Sequence, residues 1–411
     1  MSQTNTAVLQ RSGAAIAGAT FLSLPLGAIY AFSVLIGPLE HLLGVSRSDL
    51  ASVFGISVVF FTIGTNVAPR FFGLVSGPLL IALSAALSAV GVLIAAFAGT
   101  FLWLSLGYGV LFAFGGGVAY ITVQQSVNAT PIRRPGLVNG YLVSLFPAGA
   151  MIATIAFGWG TQNYDVRATL VALALVVAVC GVLATVLTVR SGVRLSGSRA
   201  AGNVGLEGER QGPGRAVFWK LFLVFSCAAS AGLMVLSQAV VILEAYGAGK
   251  GVALVATTAI TAAVAAARLG GGFLVDRMPV PVVAASAQSF ALLGALTLTL
   301  MPRPEVAIVS LAMIGIGYGL ISGVMVGAVA LYWPKALFGH ISSRIYIAWC
   351  LAALTLPVVA AKVFDLTGAY HAAILLAGAA NLCGVLAGAS LPRQRAGQGP
   401  RPTQSIAEER T

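Results

Sequence analysis

Arg268 stands in the run AAARLGGGFLVDRM, residues 265–278, and the nearest other charge is Asp276. A guanidinium in so apolar a stretch suits one kind of chemistry. It carries a permanent charge and a planar fork of donors that matches a carboxylate in bidentate fashion. If the run is helical, Arg268 lies roughly 12 Å from Asp276 at the helix end, at about 1.5 Å per residue. Snorkelling recovers only part of that depth. Insertion scales charge about 2.5–3.5 kcal/mol for an arginine at the centre of a membrane helix, so a counter-charge is expected. Glu244 and Asp276 fall at the ends of apolar runs, and the other acidic residues fall between runs. With no carboxylate inside a run, the bound solute itself becomes the candidate counter-ion, one fixed charge for one carboxylate. The plainer alternative is structural: Arg268 ties off helix-end carbonyls or stacks on an aromatic ring.

Other residues could complete such a site. A tyrosine hydroxyl donates to a carboxylate while its ring excludes water. Tyr30, Tyr120, Tyr318, Tyr346 and Trp349 all fall inside apolar runs. Each is also suited to plain helix packing or to anchoring at an interface. Gln124 and Gln125 follow Tyr120 by one helical turn and should face protein or water rather than lipid. The substrate-binding set expected on these grounds is Arg268, Tyr120, Tyr30, Gln124, Tyr318 and Trp349. At helical spacing Thr261, Val264, Ala265, Arg268, Gly271 and Gly272 share one face, small enough for close helix approach. Gly272, Asp276 and Arg277 end this stretch as Gly-x-x-x-Asp-Arg and read as a gate: Asp276 caps or pairs with a neighbour while Gly272 permits tight packing. The corresponding TNVAPRF of the first half keeps Arg70 but has Pro69 for the aspartate, so that gate is expected to be degenerate.

Enzyme chemistry finds no support. GAGKG at 247–251 lacks the hydroxyl residue and upstream glycine of a phosphate loop, and GIGYG at 315–319 suits close helix packing. Neither His-Glu-x-x-His nor Cys-x-x-Cys occurs. The four cysteines lie in apolar runs and read as packing. No catalytic residue, metal or cofactor is expected.

The elements that must hold these residues follow from composition. The chain has 411 residues, of which 58% are hydrophobic and 8% charged. Its charge clusters between apolar runs long enough to cross a bilayer core of roughly 30 Å. An all-α membrane protein is implied. Twelve spans are expected, near 13–37, 50–69, 77–98, 101–126, 136–160, 168–189, 217–243, 252–275, 280–301, 306–332, 342–363 and 370–391. The first is too long for a signal-peptide core and reads as a retained helix. The expected organisation is an N-terminal segment (1–12), a six-helix bundle (13–189), a Gly-, Ser- and Arg-rich linker (190–216), a second bundle (217–391) and a tail (392–411). With the N-terminus in the cytoplasm, 17 of the 23 Lys and Arg lie inside, five outside, and one, Arg268, within the membrane. The acidic residues divide five inside and six outside. The positive side should be cytoplasmic, which puts both termini there in a multi-pass cell-membrane protein. The net +12 is explained this way rather than by nucleic acid. The halves also repeat: GYGVL (107–111) and GYGLI (317–321), Arg134 and Arg344, and Pro147 and Pro357 share an offset of 210. Parallel six-helix repeats joined by a linker point to the major facilitator architecture.

GAIYAFSVLIGPLEHLLGVSRSDL (27–50), GYGVLFAFGGGVAY (107–120), ARLGGGFLVDR (267–277) and WPKALFG (333–339) together resemble the oxalate/formate antiporter and monocarboxylate transporter branch of the major facilitator superfamily. The resemblance implies two six-helix bundles rocking about a midplane site and a small carboxylate cargo. It implies that Arg268 is the substrate-binding arginine, that Tyr120 is the cavity tyrosine of span four, and that Tyr30 is similar to an aromatic of span one. Oxalate-carrying relatives add a lysine in mid-span eleven; here IAWCLAALTLP (347–357) has none, and Arg344 and Lys362 sit at its two ends. That departure favours a monocarboxylate such as lactate, pyruvate or formate. Animal carriers place an aspartate one turn before the arginine, where this chain has Val264, so aspartate-based proton coupling does not carry over. The expectation is a monomeric secondary transporter working by alternating access, with a small organic anion as substrate and a proton or counter-anion as coupled species. The alternatives are an exporter of amphipathic organic compounds and a transporter-like sensor that binds a carboxylate without moving it.

Overall fold

The computed structural model describes residues 3–195 and 214–393. Most of the expected linker (190–216) and tail (392–411) lies outside the described residues. Among those residues twelve helices are long and apolar enough to span a membrane: α1 (Gln10–Ala31), α2 (Arg47–Phe71), α3 (Gly77–Ala96), α4 (Phe101–Asn128), α5 (Pro135–Asn163), α6 (Val166–Ser191), α7 (Gly214–Ala245), α8 (Lys250–Val275), α9 (Val280–Leu300), α10 (Pro304–Tyr332), α11 (Lys335–Thr367) and α12 (His371–Ala389). Continuous apolar runs of this length form helices in a bilayer, because backbone polar groups there find no water and have to be satisfied by the protein. Side chains such as Leu83, Val182 and Leu386 are more than half exposed and form the surface that acyl chains cover.

Four spans depart from regular α-helix, α2 only in a 3-10 turn at its end (Ala68–Phe71) and the other three within their length, each of these for a readable reason. The helix leading into α1 begins at Gln3, ahead of the expected start at residue 13. It loosens into a 3-10 turn at Gly27–Ala31, just after Pro25, and a separate short helix, Ser33–Leu43, follows. Pro25 removes a helical donor, and Gly27 lets the backbone meet the Phe146 carbonyl of α5. The expected first span, ending at residue 37, ran through this break. In α4 the segment Ser105–Phe112 widens into π-type turns. Its Tyr108 is fully buried and donates a 2.9 Å hydrogen bond to the Ala28 carbonyl in the 3-10 turn of α1. In α11 the helix stops at Leu354 and restarts at Leu356, where Pro357 occupies the first turn.

The spans pack as two six-helix bundles. In the first, α6 lies against α1 and α3, and α4 against α2 and α3; in the second, α10 lies against α7, α8 and α9, and α12 against α7 and α9. Between the bundles α5 packs on α8 and α10, while α2 and α4 pack on α11. These two sets of contacts are related by the internal repeat, since α2 corresponds to α8, α4 to α10 and α5 to α11. Tyr108 and Tyr318, equivalent in the repeat, are both fully buried but serve different ends: the first props the break in α1 and the second lies beside Arg268.

Candidate functional site

Interior turns of α1, α2, α4, α5, α7, α8, α10 and α11 surround one small cavity between the bundles. Tyr30, Tyr120, Arg268, Tyr318, Tyr346 and Trp349 line it, joined by Phe61, Val143, Phe146, Phe225 and Ser322. About 20 Å³ is open to the centres of water-sized molecules. That is room for water but not for a multi-carbon acid, so cargo has to part the rings. The rings form a continuous cage. Tyr30 meets Trp349 edge to face at 6.1 Å and Phe146 at 6.3 Å between centroids. Tyr120 meets Phe146 at 4.7 Å and Tyr346 at 5.4 Å.

Arg268 is 6% exposed. Its backbone sits at a tight junction: a Cβ on Gly323 of α10 would strike the Arg268 carbonyl, and one on Gly140 of α5 would approach it to 2.9 Å. These glycines let three helices converge on the residue. One Nη donates to the Tyr318 hydroxyl at 3.2 Å and the other to the Val143 carbonyl of α5 at 3.3 Å, while Nε has no partner. The guanidinium carbon also lies 5.3 Å from the centre of the Tyr318 ring. Among the described residues no carboxylate meets it, and the one ion pair is Arg47–Glu40, at a helix end. Arg344 and Lys362, the cations at the two ends of span eleven, are exposed and away from the cavity.

Of the residues expected to bind substrate, Arg268, Tyr120, Tyr30, Tyr318 and Trp349 share this cavity. Gln124 does not line it. It is buried one turn behind Tyr120, beside the Tyr346 hydroxyl, which it approaches without reaching full hydrogen-bond geometry. Tyr346 shares a 2.7 Å hydrogen bond with Tyr120 that spans the two bundles. The phenylalanines, Val143 and Ser322 went unnoticed in the sequence because they look like any other lining of an apolar helix.

The bundles are tied on the side facing the linker. Asp276, just past α8, accepts the backbone N–H groups of Gly136 and Leu137, both at 2.8 Å, and so caps α5 from the opposite bundle. Gly272 and Gly136 sit in backbone contact one turn away. Arg277 is exposed and covers the Phe273 ring at 4.0 Å. At the repeat-related junction the missing aspartate is replaced by amides. Gln125 of α4 accepts the Gly339 N–H at 2.7 Å and donates to the Lys335 carbonyl at 3.0 Å. Lys335 donates to the Thr130 carbonyl, and Asn66 to that of Ser343, both at 2.9 Å. Neutral amides thus tie the bundles at this junction. Among the described residues every hydrogen bond joining the bundles lies at the cavity or on its linker side.

A family model described as Major Facilitator Superfamily matches residues 16–357. Among solved structures, the proton:xylose symporter XylE bound to 6-bromo-6-deoxy-D-glucose is similar, with a TM-score of 0.69 at 13% identity over 95% of this chain and 97% of that one. FucP in its outward conformation gives 0.66 at 14% over 93% and 99%. The human organic anion transporter MFSD10 gives 0.69 at 14% over 91% and 99%. No curated protein matches.

Proposed function

The chain belongs to the major facilitator superfamily, and from that premise we propose that it carries a small monocarboxylate of the lactate, pyruvate or formate kind, with Arg268 as the counter-ion of the cargo. It is a multi-pass membrane protein and a secondary transporter, not an enzyme. The observation that carries the reading is a buried guanidinium that meets no carboxylate among the described residues, held in the central cavity by a hydroxyl, a carbonyl and an aromatic face. Those groups position the cation without neutralising it. One cation in the cavity matches one negative charge. The ring cage favours a compact anion, whose carboxylate takes the guanidinium while the hydroxyls of Tyr120, Tyr30 and Tyr318 and the indole of Trp349 close around it. Gln124 supports this ring of donors from behind.

In this reading Asp276, Arg277 and Gly272 form the gate on the linker side, which the excess of Lys and Arg assigns to the cytoplasm along with both termini. The bundles correspond to 13–189 and 217–391. A proton or a counter-anion is the coupled species. Uptake of radiolabelled lactate or pyruvate into liposomes tests the assignment. Arg268→Ala is expected to abolish saturable uptake, and Arg268→Lys, which loses the bidentate fork, to lower it at least tenfold, at about 1.4 kcal/mol per decade. Near-normal uptake by Arg268→Ala would refute the reading.

A further inference from the structure

Pro147 lies inside α5, four positions after Val143. In an α-helix the carbonyl of residue i accepts from the N–H of residue i+4. Proline has no N–H, so the Val143 carbonyl loses its helical donor. That same carbonyl receives the Arg268 hydrogen bond from the other bundle. A free acceptor on α5 and an unneutralised cation on α8 therefore meet at the cavity wall.

We propose that Pro147 is a positioning residue acting through Val143: by freeing this carbonyl it gives the vacant carrier a stand-in for the carboxylate of the cargo. The inference rests on the reading of Arg268 as the counter-ion of the cargo. A carboxylate entering the cavity takes the guanidinium away from the carbonyl. Binding thus competes with the stand-in and severs a tie between bundles in one event. The vacant carrier is held by that tie and the loaded carrier is released from it. The repeat offers an internal contrast. Pro357, equivalent to Pro147, opens a new helical segment after the break at Thr355, and no hydrogen bond joins Arg268 to that part of α11.

Pro147→Ala restores an N–H at the position four residues after Val143. The Kd for lactate, measured on purified protein in lipid nanodiscs, is expected to fall about tenfold as the competitor is tied up within α5. Pro357→Ala is expected to leave Kd unchanged. An unchanged or higher Kd in Pro147→Ala, or an equal gain in Pro357→Ala, overturns the inference. A second measurement uses the wild-type protein. The carbonyl carbon of Val143, labelled through Val-carbonyl/Ser-nitrogen pairs and assigned by its loss in Val143→Ala, should shift when lactate saturates. A stationary signal at saturation overturns the inference. These failures differ from failure of the underlying reading, in which wild-type protein binds no lactate, pyruvate or formate, or Arg268→Ala binds as the wild type does. That result removes the reading and the inference together.

Discussion

Gln124 shows how a single residue separates stability from use. Both of its side-chain polar atoms are buried without a well-formed hydrogen bond, the nearest partner being the Tyr346 hydroxyl. A buried amide in that condition costs about 1–3 kcal/mol relative to a satisfied one. Gln124→Leu is therefore expected to stabilise the folded protein, seen as a higher midpoint in a thermal-shift scan, while lowering lactate uptake severalfold because Tyr346 loses its polar neighbour. A variant that is both less stable and equally active would show that Gln124 is a packing residue. Much at this scale was legible in the sequence. An arginine inside a run of alanines and glycines is conspicuous, as are tyrosines and glutamines inside spans. Phe61, Phe146 and Phe225 were not legible, because phenylalanine suits a cavity wall, a helix seam and a lipid-facing surface equally well. Only the fold decides which of these it faces.

At the scale of the helix, glycine placement governs what can move. A Cβ on Gly271 would enter the Leu320 backbone of α10, and one on Gly272 would enter that of Gly136 on α5. The two neighbours therefore serve different interfaces, one within a bundle and one between bundles. Gly272→Val should keep the second bundle folded but prevent α8 from meeting α5. Uptake is expected to fall more than tenfold with little change in thermal stability. Gly37→Ala, which meets nothing within 4 Å, should behave as the wild type. The tight packing of the GGG triplet could be read in advance, but its division between partners could not. Nor could the break in α1, since Pro25 and Gly27 are ordinary in membrane helices and the Ala28 carbonyl in the 3-10 turn finds its donor on distant Tyr108.

For the whole molecule, the hydrogen bonds between bundles fall at the cavity and on its linker side. The conformation is thus closed toward the linker and untied by hydrogen bonds on the opposite face, among the described residues. Asp276 contributes a charged tie at the N-terminus of α5, an arrangement worth about 0.3–2 kcal/mol. Asp276→Asn should loosen this closure and lower the closed population by up to about 30-fold in equilibrium constant. Spin labels at the exposed Leu74 and Met278, one on each bundle, would report it as a longer distance. An unchanged distance distribution would show that the amide ties suffice. The duplication and the twelve spans were written in hydropathy and in landmarks such as Tyr108 and Tyr318. At the junction where Pro69 stands in place of an aspartate, Gln125 and Asn66 supply hydrogen bonds from neighbouring turns, which a motif read along one helix does not include.

An unneutralised Arg268 also decides what membrane voltage can do to the cycle. With a monoanion aboard, the charges cancel, and the electric field does no work on the bundles as they rock. With the cavity vacant, the same motion carries a net positive charge through part of the field, worth up to about 2.3 kcal/mol per 100 mV for a full traverse. Polarising the vesicles should therefore alter the rate of net flux, which needs the vacant carrier to return, and leave one-for-one exchange of labelled lactate untouched.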